Sequence, residues 1–202
     1  MMEFMDNILI KKKNNAAAGF SAMLKEAAVI PALKSTEKMG RIIDSQQKII
    51  FVLYGDIVTI PGIVSSLKKA GKMVLVHMDL IEGLNSRDVA VDFIAENTQA
   101  DGILSTKANL VKSAKSRGLL AIQRFFVLDS MALLNIEKQL PLDYADALEI
   151  LPGLMPKIIR QLSAMTDKPI IAGGLISDQE DIQSALDAGA LAVSTTKLDL
   201  VQ

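Results

Sequence analysis

The sequence predicts a compact, closed (β/α)8 barrel of the TIM-like kind, and three observations carry that prediction. Eight short apolar runs rich in β-branched residues recur along the 202-residue chain. Segments of helical periodicity lie between them, and no run reads as an antiparallel or edge strand. Regular alternation of strand and helix implies parallel strands joined by helical crossovers, and eight is the number that closes a barrel. The chain is shorter than the roughly 250 residues typical of such barrels, so its loops must be short. An open doubly wound sheet is the competing architecture, which spacing alone does not exclude.

The eight expected strands are Val29–Leu33, Ile49–Tyr54, Met73–Met78, Gly102–Ser105, Leu119–Val127, Ala147–Leu151, Pro169–Ala172 and Ala190–Ser194. Helix starts and stops fall between them. Pro61 suits the first turn of a helix that runs to Gly71. Asn85 or Ser86 is placed to cap a helix over 87–97, and Asp129 to cap the segment holding Met131, Leu133, Leu134 and Ile136. A helix over Leu154–Thr166 follows Pro152-Gly153. Ser177-Asp178-Gln179-Glu180 has the capping-box pattern, and the helix it opens should stop near Gly189. The tail Thr195–Gln202 is too short for a full closing helix, so helix 8 is expected to be short or missing. The Ala-rich stretch Asn14–Ala28 is helix-prone and would cover the barrel floor or the gap left by helix 8. One domain is expected over 1–202, with residues 1–28 as a helical N-terminal extension.

Composition narrows the function. An apolar content of 50% against 22% charged residues supports a large core and excludes disorder. Twenty-two basic and 23 acidic residues leave a net charge of −1, which gives no gross sign of nucleic-acid or membrane affinity. The absence of cysteine removes disulfides, thiolate metal sites and cysteine nucleophiles. Aromatic content of 4% weakens any platform on which bases would stack. The start shows no secretory pattern and no apolar run approaches a membrane span, so a cytoplasmic protein without membrane contact is expected. Neither metal-binding spacings nor a Gly-x-Ser-x-Gly elbow is present, so no metal, cofactor or catalytic residue is assigned. Lys11-Lys12-Lys13 and the Lys68, Lys69, Lys72 group could meet nucleic-acid phosphates, although solvated surface charge accounts for them as well.

Ligands of a parallel barrel sit at the carboxyl ends of the strands. Side chains alternate faces, so residues two apart share one. Six rows follow: Ile30, Ala32, Lys34; Ile50, Val52, Tyr54, Asp56; Leu75, His77, Asp79; Ile103, Ser105, Lys107; Leu120, Ile122, Arg124, Phe126; and Ala147, Glu149, Leu151. Each begins apolar and turns polar or charged. Lys34, Lys107 and Arg124 against Asp56, Asp79 and Glu149, with the single histidine His77, fit a small ligand carrying an anion and hydroxyls. The cations would anchor it, and the carboxylates and His77 would read hydroxyls. A salt-bridge network that merely closes the mouth is the plainer alternative. Gly173-Gly174 after strand 7 and Ser194-Thr195 at strand 8 lie where such barrels cradle phosphate, glycine admitting the anion closely and the hydroxyls adding donors.

The blocks Pro31-Ala32-Leu33-Lys34-Ser35, Leu53-Tyr54-Gly55-Asp56-Ile57, Val76-His77-Met78-Asp79 through Leu84, and Ala100-Asp101-Gly102 through Lys107 form an ordered series. It continues with Gln123-Arg124-Phe125 through Ser130, Glu149-Ile150-Leu151-Pro152-Gly153 through Lys157, and Ile171-Ala172-Gly173-Gly174-Leu175-Ile176. Together they resemble the glycerol-3-phosphate-responsive antiterminator family, the glycerol uptake operon regulators, from about Ile30 to Thr196. The resemblance implies a barrel that binds glycerol 3-phosphate as effector and acts on leader mRNA of glycerol-use operons. It also implies a regulator rather than an enzyme. The rival expectation is a barrel isomerase, epimerase or lyase on a small phosphorylated metabolite, with Asp56, His77 or Glu149 as general acid or base. A structural or assembly protein is a third reading. An exposed wall beside a short helix 8 would suit a homodimer.

Overall fold

A computed structural model of the chain describes residues 19–201. Its eight strands are β1 (Val29–Leu33), β2 (Ile49–Val52), β3 (Met73–His77), β4 (Gly102–Ser105), β5 (Leu120–Phe126), β6 (Ala147–Leu151), β7 (Ile170–Gly173) and β8 (Ala192–Thr195). All run parallel in sequential order. β8 pairs back onto β1 through Val29↔Val193, Ile30↔Ser194 and Pro31↔Thr195, so the sheet is a closed barrel and not an open one.

Eight helices alternate with the strands: α1 (residues 19–27), α2 (Met39–Asp44), α3 (Ile60–Lys69), α4 (Asp88–Asn97), α5 (Ala108–Ser116), α6 (Ser130–Gln139), α7 (Pro156–Ser163) and α8 (Gln179–Asp187). Two start where side chains satisfy the free N–H groups of a first turn: Asp129 accepts from Ala132 N, and Asp178 from Asp181 N. α3 carries Pro61 in its first turn and stops before Gly71, whose φ of +74° suits glycine. α4 departs from expectation. Neither Asn85 nor Ser86 caps it; Arg87 stands at that position, and Asn85 Oδ1 accepts from Arg87 N instead. α7 starts two residues later than expected because Met155, preceding Pro156, is pushed out of the helical region. After β8 the described chain makes only a single 3-10 turn, Leu198–Leu200, held to α2 by Arg41 and Asp199 at 2.7 Å. The closing helix expected after β8 is thus missing up to residue 201.

The core has two layers. One lies between barrel and helices and includes Val52, Val64, Leu67, Val76, Ile94 and Ile150. The other fills the barrel itself with Ile30, Ala32, Ile49, Phe51, Leu75, Leu104, Ile122, Ala147, Ile171 and Ala192. Phe20 and Leu24 of α1 join this inner layer, so α1 closes the barrel floor. Residues 14–18 of the expected helix, and Lys11–Lys13, lie outside the described residues.

The inner layer corrects two of the six rows. In β2 the inward residues are Ile49 and Phe51, while Ile50 and Val52 face the helices. In β4 Leu104 points inward and Ile103 outward. Strands of a parallel barrel are apolar on both faces, so alternation separates two rows without showing which is inside. Tyr54, Asp56, Ser105 and Lys107 therefore do not continue an interior row.

Candidate functional site

The mouth of the barrel is built by inward side chains one step above the apolar layer. His77 follows Leu75, Arg124 follows Ile122, Glu149 follows Ala147, Gly173 follows Ile171 and Ser194 follows Ala192. His77, Arg124, Glu149 and Ser194 are all buried, at 3%, 7%, 0% and 4% exposure. Buried polar groups are costly unless paired, and here most are. Glu149 Oε2 accepts from Arg124 Nε at 2.6 Å, and Glu149 Oε1 accepts from Ser194 Oγ at 2.6 Å. One carboxylate thus links β5, β6 and β8 across β7. Gly173 makes that span feasible: a Cβ there would stand 2.6 Å from Glu149 Oε1 and 2.7 Å from Ser194 Oγ.

A second cluster sits at the rim. Asp79 Oδ1 accepts from Ser105 Oγ at 2.8 Å, and Asp79 Oδ2 accepts from the Thr106 amide and hydroxyl at 2.7 and 2.9 Å. Burial alone would raise its carboxyl, but these bonds outweigh burial and hold it below the ordinary carboxylate value. Lys107 Nζ lies 3.9 Å from Asp79 Oδ1 and bonds the Ser86 hydroxyl. His77 lies between the two clusters. Burial, and then the Arg124 charge, push its pKa down to about 4, with Asp79 opposing, so the imidazole is neutral at pH 7. Its Nδ1 is buried without a hydrogen-bond partner.

The structure therefore brings together His77, Asp79, Lys107, Arg124, Glu149, Gly173 and Ser194. Four expected residues, Lys34, Asp56, Gly174 and Thr195, stand apart. Lys34 is exposed at the end of β1 and forms no ion pair among the described residues. Asp56 lies in the loop before α3, where its Oδ1 accepts from the Val58 and Thr59 amides at 2.8 Å each. Thr195 faces outward; its hydroxyl donates to Ile176 O at 3.1 Å and accepts from Lys197 N at 3.2 Å. Gly174, with φ of +74°, turns the chain away from β7. The start of α8 is occupied by its own carboxylates, since Asp181 Oδ2 also accepts from Ser177 N at 2.7 Å. Sequence reasoning missed Ser105 and Thr106 as supports of Asp79, and Lys197 at the end of β8. The only signal for Thr106 was its place two after Leu104, which needed the correct β4 row.

Fold and mouth together define a (β/α)8 barrel whose strand ends converge on a buried, ion-paired cluster. The family model described as glycerol-3-phosphate responsive antiterminator matches residues 29–201, and the chain belongs to that family. By its description the family is one of regulators. The uncharacterized Escherichia coli (strain K12) protein YgcP is 43% identical over 174 residues, covering 86% of this chain and 91% of that one. The crystal structure of a glycerol uptake operon antiterminator regulatory protein from Listeria monocytogenes is similar with a TM-score of 0.81 and 33% identity, covering 84% and 92% of the two chains. A glycerol uptake operon antiterminator-related protein from Thermotoga maritima gives 0.77 and 32%, covering 86% and 96%. No helix among the described residues is long and apolar enough to cross a membrane.

Proposed function

We propose that the protein is a cytoplasmic sensor of glycerol 3-phosphate that, once liganded, promotes antitermination through leader mRNA of glycerol-use operons. The observation that carries this reading is the family match across the whole barrel, with a cluster of buried polar side chains at the end where barrels hold their ligands. No cofactor takes part; glycerol 3-phosphate is the effector. In this reading the phosphate sits at the backbone of Gly173-Gly174 and the end of β8, with exposed Lys34, which forms no ion pair among the described residues, on a neighbouring strand end. The first turn of α8 is a poor anion site, because Asp178 and Asp181 already cap it. Ligand binding favours one arrangement of the loops after β5–β8, and that arrangement binds RNA as a population shift.

Calorimetric titration of purified protein with glycerol 3-phosphate tests the sensor. Saturable heat and a raised melting temperature are expected; neither change at millimolar ligand refutes it. Leader-RNA retention with and without ligand tests the coupling, and equal retention in both removes it.

A further inference from the structure

The polar groups of the mouth divide by whether the protein already satisfies them. The carboxylates are occupied: Glu149 by Arg124 and Ser194, Asp79 by Ser105 and Thr106. Two groups of the mouth are not. His77 Nδ1 is buried without a partner, as is Gln123 Oε1 elsewhere on β5, and Arg124 is bonded only through Nε among the described residues, which leaves its not fully buried Nη groups with four N–H donors. A buried polar nitrogen without a partner is rare and calls for an explanation, which a ligand hydroxyl would supply.

We propose that the His77 imidazole and the Arg124 Nη groups read the hydroxylated end of the ligand, a vicinal diol, while Glu149 and Asp79 are positioning residues that do not touch it. This rests on the reading of the protein as a sensor of a phosphorylated polyol. It reverses the simple expectation that cations take the phosphate and carboxylates take hydroxyls.

Charge decides between the ligand's two ends. The Arg124 charge is matched by Glu149 at 2.6 Å, and the His77 ring is uncharged at pH 7. The mouth therefore offers hydrogen bonds there without net positive charge. A phosphate there would meet two neighbouring carboxylates and no spare cation. A hydroxyl oxygen accepts from a guanidinium N–H, and its proton satisfies an imidazole lone pair. Ser194 agrees with this polarity, because its proton is committed to Glu149 and its free oxygen lone pair faces a donor better than an anion.

The test compares glycerol 3-phosphate with inorganic phosphate on the full chain, by calorimetry, for wild type, His77→Ala and Arg124→Lys. Each variant should lose about tenfold or more in affinity for glycerol 3-phosphate, the scale of one to two hydrogen bonds, and bind inorganic phosphate as wild type does. Parallel loss for both ligands would place phosphate on Arg124 and overturn the proposal. So would unchanged affinity for glycerol 3-phosphate. Because His77 is the sole histidine, its ring resonance in the wild type gives a readout that does not depend on variants folding. It should move with glycerol 3-phosphate and stay with inorganic phosphate; equal movement with both is the opposing result. Wild type that binds no glycerol 3-phosphate overturns the sensor reading itself, whereas wild type that binds while the variants bind equally well overturns this assignment alone.

Discussion

At the floor of the barrel Phe20 and Leu24 of α1 are buried among Ile30, Ile49, Leu75 and Ile122. One step along the same inward rows, at the mouth, His77, Arg124, Glu149 and Ser194 are equally buried and wholly polar. The floor gains stability from every apolar atom it removes from water, on the order of 2 kcal/mol for a large side chain. The mouth has no such gain. Its charges lose hydration on burial, and pairing at best offsets that loss. Two ends of one scaffold thus serve different ends: one holds the fold together, the other keeps an unfinished hydrogen-bonding set in place.

The largest expected effects break this comparison from both sides. Phe20→Ala should cost about 3–5 kcal/mol in denaturant unfolding through the cavity it leaves, with affinity for glycerol 3-phosphate unchanged. Glu149→Ala should cost a similar amount, about 3–5 kcal/mol, because Arg124 is then buried and unpaired, and here affinity should fall as well. Equal loss of affinity in both variants would mean that the two ends are not separable.

A smaller effect appears with pH. His77 titrates at 6.5 when unfolded and at about 4 when folded, so between these values the unfolded chain holds the extra proton. Stability is therefore full above pH 6.5, declines by up to about 3 kcal/mol as pH falls, and levels below about 4. The depressed Asp79 acts in the same sense but only below its ordinary value of 3.8, where its stabilising charge is lost as pH falls further. His77→Gln should flatten the profile of denaturation midpoint from pH 6.5 to 4. A slope that persists in that variant assigns the effect elsewhere.

The smallest effect concerns the start of α8. Asp178→Ala should cost about 1 kcal/mol, the value of one cap, without weakening glycerol 3-phosphate. Loss of affinity larger than loss of stability would bring the α8 N-terminus into the site.

Much of the scaffold was legible in the chain. Each strand lies within two residues of its expected limits, because β-branched runs bounded by glycine, proline and caps leave few alternatives. Asp129 and Asp178 were legible as caps for the same local reason. The seven residues that meet at the mouth were legible, whereas Ser105 and Thr106 as supports of Asp79 were not. His77, Arg124 and Glu149 were found because their strands were read in the right phase, whereas Asp56 was drawn in, and Thr106 left out, because β2 and β4 were read in the wrong one.

What the sequence determines alone is local and periodic: the number of strands, their alternation with helices, the caps, and the ordered blocks that mark the family. Which row of each strand faces inward is decided by closure, since both faces are apolar and only the curvature of the barrel and the packing of helices tell them apart. The partnerships at the mouth are likewise tertiary. That Glu149 spends both oxygens on Arg124 and Ser194, over a glycine that leaves room for them, depends on residues up to 45 positions apart meeting across the barrel. No pattern along the chain encodes that distance.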